Sequence, residues 1–522
     1  MTFLDYFPVD MSPRRVQIEA LARIEDALVT RNQRVFVLDA PTGSGKSAIG
    51  RTVARAFGTA FVTSPLNFLV DQYEAEASEL AAVKGKANYT CTAFRFPEWV
   101  NAQDRTCEAA HDMDEALHRE ICRDYCPTRD LYWTSPLSVT NVDFCYWAPM
   151  PPRLESQGGR DYRSVLIIDE CHGLEEKLLD LGRVQITARQ AVKVGMPPPN
   201  AHSREEAERL LESFIYRVGA TVRTRGFKNE AEARRFKRKA QALKLTLEIG
   251  DWIHWTDRQT GTFIVKPMDA RIPAERLFAK ADKLLFMSAT IGSIKQFVAG
   301  LHLQDEPWSS YAAPSDFPVA NRQVAIVKGA PYVSKDDPHA IPAVIQGCRQ
   351  VLRHFSTSKG AILSHSYEMK DALVAGLSAE FGDRIVTHAR QGTADDEDAE
   401  RQSKDQAIQR HCEALRPTVL LGVHMFEGLD LRDDLARFVV IPKVPYPYRG
   451  DPYVAERRRR NTEWVSRQVG LKMVQGAGRG MRSATDHCQI FVMDACFWRE
   501  LREHSAHYPR WFLDAVVGLR KP

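Results

Sequence analysis

The chain has 522 residues, 44% apolar and 26% charged, a composition that excludes a disordered or fibrous protein and allows roughly three to four ordinary domains. With 71 Lys and Arg against 67 Asp and Glu, the net charge of +4 is too small to argue by itself for nucleic acid. No apolar run is long enough for a membrane span, and the N-terminus lacks a basic region followed by an apolar one. These features lead us to expect a cytoplasmic protein without a membrane partner, its ten cysteines serving as thiols or metal ligands.

In chain order, Ile18, Leu21, Ile24 and Leu28 have helical spacing behind Pro13-Arg14-Arg15-Val16-Gln17. Arg15 and Gln17 could bond the edge of an adenine, or simply open a solvated helix. Val35 to Leu38 is an apolar strand that breaks into Ala40-Pro41-Thr42-Gly43-Ser44-Gly45-Lys46-Ser47 and resumes as a helix from Ala48 to Phe57. Strand, glycine-rich turn, Gly-Lys-Ser and helix are the context that a phosphate-binding loop needs, the alternative being a chance Gly-rich turn. In such a loop the backbone N–H groups and the helix N-terminus face the phosphates. Lys46 would reach the β- and γ-phosphates, and Ser47 would ligate Mg²⁺.

A second strand, from Ala60, ends in Thr63 and Ser64, which could donate to a phosphate or cap the helix beginning near Asn67. Periodicity is lost from Lys84 to Trp147, where half of the cysteines fall: Cys91, Cys107, Cys122, Cys126 and Cys145. Four thiolates can hold one metal centre, zinc or iron–sulfur, and spacing alone does not choose between them. Basic and aromatic residues crowd the same stretch and suit single-stranded nucleic acid, or a small core around the metal.

Ser164 to His172 is an apolar strand ending in Asp169-Glu170-Cys171-His172. Asp169 would hold Mg²⁺ through water, and Glu170 would orient or deprotonate an attacking water. Residues 178–255 read as mostly helical, with a basic segment from Arg223 to Lys244. Lys283 to Thr290 is another apolar strand ending in hydroxyls. Strands beginning at Gly360, Arg384, Thr418, Arg437 and Gln489, most with helices between them, predict a second parallel sheet. This half carries Glu427-Gly428-Leu429-Asp430 and Gln475-Gly-Ala-Gly-Arg479-Gly-Met-Arg482. Arg479 and Arg482, three residues apart, could neutralise charge on a γ-phosphate. Flexible joints are expected at residues 306–317 and 391–398.

This assembled set resembles the XPD/DinG-like group of superfamily 2 helicases over nearly the whole chain. The loop at 40–47, Lys84-Gly-Lys-Ala-Asn-Tyr-Thr-Cys91, Cys126-Pro127, Asp169-Glu-Cys-His172, Ser288-Ala-Thr290, Ser315-Asp-Phe317-Pro, Glu427-Gly-Leu-Asp430 and Gln475-x-x-Gly-Arg479-x-x-Arg482 follow the group's motif order. The resemblance implies an α/β fold of two RecA-like parallel-sheet domains, the first with an iron–sulfur insertion and a helical arch insertion. The implied division is motor domain 1 at 1–83, 131–179 and 263–305, an iron–sulfur domain at 84–130, an arch at 180–262 and motor domain 2 at 306–522.

The resemblance further implies ATP and Mg²⁺ held by Arg15, Gln17, Thr42, Gly43, Ser44, Gly45, Lys46, Ser47, Asp169 and Asp430. It implies hydrolysis by Lys46, Asp169, Glu170, Gln475, Arg479 and Arg482, and a [4Fe–4S] cluster on Cys91, Cys107, Cys122 and Cys126. The implied activity is 5′-to-3′ movement on single-stranded DNA with unwinding of forked duplexes, by a monomer. Two other readings share many of these residues: a translocase that displaces proteins or RNA, and a redox-responsive DNA-binding protein built on a decayed motor.

Overall fold

Strands that are apolar on both faces need cover on both faces, which a parallel sheet flanked by helices supplies. In the computed structural model of the chain, residues 2–65, 67–77, 79–96, 105–123, 125–148, 162–224, 226–227, 230–258, 260–334, 337–389, 397–426, 429, 431–481 and 486–518 are described. Two compact units divide it: residues 1–38, 46–287 and 295–310 in one, and 39–45, 288–294 and 311–522 in the other. No helix among the described residues is long and apolar enough to cross a membrane.

Among the described residues sixteen strands form three sheets. The first sheet contains β1 (Val35–Asp39), β2 (Ala60–Ser64), β3 (Ala81–Ala82), β4 (Leu137–Asn141) and β5 (Arg163–Asp169). A small sheet follows from β6 (Val184–Ile186), β7 (Trp252–Thr256) and β8 (Phe263–Pro267), after which β9 (Ala281–Ser288) and β10 (Trp308–Ala312) return to the first. The order there is β10-β1-β9-β5-β2-β4-β3, with β3, β4, β2, β5 and β9 paired in parallel. Every residue of β1 and β2 is buried. Ser64, Asn141, Asp169 and Ser288 each end a strand, which makes the carboxyl edge of the sheet a polar row, where open α/β sheets bind ligands.

The insertion after β5 is more than helical. Helices Arg204–Arg223 and Glu230–Ile249 stack Phe214 on Phe236 at 6.1 Å and bury Leu211 and Leu243 against the antiparallel sheet β6-β8-β7. The basic segment is partly structural. Arg234 donates to the His111 carbonyl at 2.8 Å, Arg238 pairs with Glu108, and Lys239 donates to Gln190 at 2.9 Å. Arg235, Lys237 and Lys244 remain exposed, whereas Arg225 and Lys228 lie outside the described residues.

In the second unit β11 (Val324–Ile326), β12 (Gly360–Ser364), β13 (Ile385–Thr387), β14 (Val419–Val423), β15 (Phe438–Ile441) and β16 (Gln489–Val492) form a sheet in the order β11-β16-β15-β12-β14-β13. It is parallel throughout. The five expected strands are present, and β11 is an addition too short to read from its sequence. The buried Asp494 just beyond β16 accepts from the N–H groups of Val333, Val444 and Cys496 at 3.0–3.2 Å, tying three loop segments to one carboxylate.

The expected joint at 306–317 instead contains β10. Its neighbours are remote in sequence: Arg34 N–H donates to Pro307 O at 3.1 Å, and Ala313 N–H donates to Asp39 O at 2.7 Å. Most of the other joint, at 391–396, lies outside the described residues.

Gly360 opens β12 under the ring of Phe438, where an added Cβ would come within 2.4 Å of a ring carbon. Phe438 is itself fixed against Phe355, 4.8 Å between ring centres. Gly360→Ala should therefore destabilise the fold by about 1–3 kcal/mol through overpacking, read as a lower denaturant midpoint. An unchanged midpoint would mean that Phe438 swings aside freely.

Candidate nucleotide site and thiol centre

The loop after β1 turns through two left-handed glycines, Gly43 (φ 76°) and Gly45 (φ 81°), a conformation that glycine adopts without a Cβ clash. Ser44 N–H closes the turn on Pro41 O at 3.1 Å. Helix Lys46–Phe57 then begins with no acidic residue in its first turn, leaving its positive end available to an anion.

The helix meets the end of β5 through charge. Lys46 Nζ lies 3.6 Å from Glu170 Oε1, and Nδ1 of His172 lies 3.4 Å from Glu170 Oε2. Asp169 is buried and accepts from Glu170 N–H at 2.9 Å and from the Tyr73 hydroxyl at 3.0 Å. Burial, then the neighbouring Glu170, pushes the Asp169 carboxyl up to about 6, while Lys46 and Tyr73 act in the opposite direction. Glu170 adopts left-handed backbone angles (φ 51°, ψ 45°), a strained choice for a side-chain-bearing residue and one that clusters at functional sites. Lys46, Asp169 and Glu170 thus lie together at the end of β5.

Tyr73 was not singled out from the sequence. It is buried on helix Asn67–Glu76, its hydroxyl bonds Asp169, and it also interacts with Ser47. One phenol therefore touches both side chains suited to Mg²⁺. Burial first, and Asp169 next, hold that phenol well above its ordinary range, so it keeps its proton. Gly50 makes room: a Cβ there would stand 3.5 Å from the Tyr73 oxygen and 2.9 Å from Met287 Cε. In the sequence Tyr73 shares its helix with Leu69 and Val70, so it looks like ordinary core.

The remaining candidates have mixed placements. Gln17 is buried and accepts from Arg14 N–H at 2.8 Å, closing the start of helix Arg15–Glu25, while Arg15 is exposed. Gln475 is buried on helix Glu463–Ala477. Arg479 donates from Nε to Gln475 O at 2.9 Å and from a terminal nitrogen to Leu429 O at 2.8 Å. Asp430 and Arg482 lie outside the described residues.

The thiol centre is built by pairing two distant segments. Cys91 N–H donates to Arg105 O and Cys107 N–H to Tyr89 O, both at 2.8 Å, which sets Cys91 beside Cys107. Cys122 ends helix Glu115–Ile121, and Cys126 begins the next helix, Tyr125–Thr134. Cys126 N–H donates to Cys122 Sγ at 3.2 Å, and a Tyr125 backbone N–H serves Cys107. Cys107 also interacts electrostatically with Cys122 and Cys91, so the four thiols converge. Burial, then Cys122, pushes Cys126 up to about 11, while Arg129 and Lys86 act in the opposite direction. Backbone N–H donors aimed at sulfur suit thiolates bound to a metal centre, so the residues fit the implied cluster. Cys145 is buried against Tyr132, away from this group.

Tyr73→Phe removes one hydroxyl from this arrangement. Hydrogen bonds to charged groups contribute roughly 1.5–3 kcal/mol, so Mg²⁺·ADP affinity should fall about 10- to 100-fold by calorimetry, with metal-free ADP little affected. An equal loss with and without Mg²⁺ would contradict the role.

Comparison with known proteins supplies the context. Residues 350–515 match the helicase C-terminal domain family, and residues 10–84 match the family described as type III restriction enzyme, res subunit. The probable ATP-dependent helicase YpvA of Bacillus subtilis (strain 168) is 25% identical over 262 residues, 48% of this chain and 38% of that protein. The chain thus matches well under half the length of that relative. Among solved structures, an XPD helicase matches 94% of this chain and 98% of its own at 15% identity, with a TM-score of 0.59. Xpd4 of S. tokodaii matches the same shares at 13% identity, also with a TM-score of 0.59. By its motifs, its matched domain families and its fold, the chain resembles the XPD/DinG-like group of superfamily 2 helicases.

Proposed function

We propose that the protein is an ATP-dependent DNA helicase that moves 5′-to-3′ on single-stranded DNA and opens forked duplexes. The observation that carries this reading is the convergence of Lys46, Asp169 and Glu170 at the carboxyl edge of the first sheet. A positive charge for phosphates, a buried acid and a strained second acid are the parts of a nucleotide hydrolase.

In this reading the loop Thr42–Ser47 wraps the phosphates, and Ser47 and Asp169 hold Mg²⁺, which offsets phosphate charge. Glu170 orients the attacking water and takes its proton. His172, beside Glu170, and Tyr73, on Asp169, keep the two acids apart in role: one toward water, one toward metal. Arg479 and Arg482 neutralise charge that builds on the γ-phosphate, with Gln475 and Asp430 completing the nucleotide contacts. Arg479 would exchange its present carbonyl partners for phosphate oxygens, a change that couples nucleotide state to the loop at Leu429. Arg15 and Gln17 complete the adenine contact.

Cys91, Cys107, Cys122 and Cys126 would hold a [4Fe–4S] cluster, which supplies a rigid metal–sulfur staple for a short segment with little core of its own. Lys86 stands 5.7 Å and Arg129 5.8 Å from the buried Tyr125 ring, so two cations lie beside the thiols, where they could meet a phosphate backbone. Direction of movement and the fork as substrate rest on the group's pattern.

Lys46→Ala and Glu170→Gln should each lower DNA-stimulated ATP hydrolysis by about 10²-fold or more, measured as phosphate release. Wild-type rates in either variant would overturn the site. Cys122→Ser should lose iron and unwinding yet keep residual ATP hydrolysis in a strand-displacement assay on forks of both polarities. Unwinding without iron would overturn the strand-separating role. A wild-type protein that hydrolyses ATP on DNA but opens no fork would favour a translocase that displaces proteins or RNA.

A further inference from the structure

The thiol centre has a fifth member that neither motif nor family pattern assigns. His118 lies on helix Glu115–Ile121, one turn before Cys122, and is wholly buried. A ring nitrogen of His118 is within 4.8 Å of the sulfurs of Cys91 and Cys107, and one is equally close to those of Cys122 and Cys126. His118 is therefore the residue common to both thiol pairs.

The burial pattern of the segment points the same way. Leu117, its neighbour, is 43% exposed and Met113 is 39% exposed, whereas His118 is 0% exposed. A short helix folded only to fill a core would turn leucine inward and imidazole outward. Here the order is inverted, so the interior favours nitrogen over hydrocarbon. The position is also braced. Asp114 caps the helix by accepting from Leu117 N–H at 2.9 Å, and Cys122 N–H donates to His118 O at 2.9 Å, linking imidazole and thiol through one backbone turn. The His118 ring meets His111 edge-on at 5.5 Å and 79°. His111 sits one turn after Cys107, and its carbonyl is held by Arg234 from the arch helix.

We propose that His118 is a positioning residue of the metal centre, donating a ring N–H to a sulfur of the bound cluster and thereby raising its reduction potential. The four thiols already complete a cluster's ligand set, so the imidazole serves sulfur rather than iron. A donor toward sulfur stabilises the more negative, reduced state, and hydrogen bonds of this kind help set cluster potentials. This inference rests on the reading of the thiols as cluster ligands.

The test uses full-length protein purified without oxygen, in wild-type, His118→Leu and His118→Asn forms. Iron and sulfide content, visible absorbance and the midpoint potential from a spectroscopic redox titration are measured for each. The expected result is iron content equal to wild type in both variants. The midpoint should become more negative in His118→Leu and recover part of the difference in His118→Asn, whose amide keeps an N–H donor. A midpoint unchanged in His118→Leu would overturn the proposal. Loss of iron in both variants would also overturn it, because it would make the imidazole a ligand or a folding element. Wild-type protein without iron would instead sink the cluster reading itself, an outcome visible before any variant is made.

Discussion

A carboxylate taken out of water must be compensated, and the first unit is arranged around one such group. Asp169 has no solvent of its own, so Tyr73, the Glu170 backbone and Lys46 stand in for it. Those substitutes come from three elements: the helix after the phosphate loop, the helix after β2 and the turn after β5. Satisfying one acid therefore fixes the relative placement of all three. Gly50 permits it, since a Cβ there would press on Met287. The residual strain is chemical, because burial still holds the carboxyl near 6. A divalent cation bound there would relieve it, which is consistent with the Mg²⁺ role proposed for Asp169.

The thiol centre follows a similar logic at smaller scale. Among the described residues of 84–130 few aliphatic side chains are buried, and the segment relies on sulfur, aromatics and borrowed contacts. Tyr89 packs on Tyr125, and Arg234 and Arg238 reach in from the arch. The arch and the thiol segment are therefore mechanically linked. A ligand that moves helix Glu230–Ile249 would pull on the helix carrying Cys107 and His111.

Much of this was legible in the sequence, for identifiable reasons. β1, β2, β5 and β9 each contain an apolar run because parallel strands are covered on both faces, and the glycine-rich turn is legible because only glycine turns that way cheaply. Asp169 and Glu170 are legible because they end an apolar strand downstream of a phosphate-binding pattern and open a complete Asp-Glu-x-His. What was missed depends on partners far away in the chain. Tyr73 acts on a carboxylate 96 residues later, and nothing local distinguishes its hydroxyl from core packing. β10 looked like a joint because its hydrogen bonds go to Arg34 and Asp39, beyond the reach of any local pattern. His118 is one of 15 histidines, and only its inward turn beside exposed Leu117 sets it apart. The sheet of the arch was obscured by the long helices between its strands.

The most direct measurement is ATP hydrolysis by the purified full-length wild-type protein, with Mg²⁺, as single-stranded DNA is titrated in. The account predicts slow hydrolysis without DNA and a saturable rise as DNA is added. It also predicts that both vanish when Mg²⁺ is chelated. Absence of hydrolysis at any DNA concentration, or hydrolysis indifferent to Mg²⁺, would contradict the assignment of Lys46, Ser47, Asp169 and Glu170 to one nucleotide site.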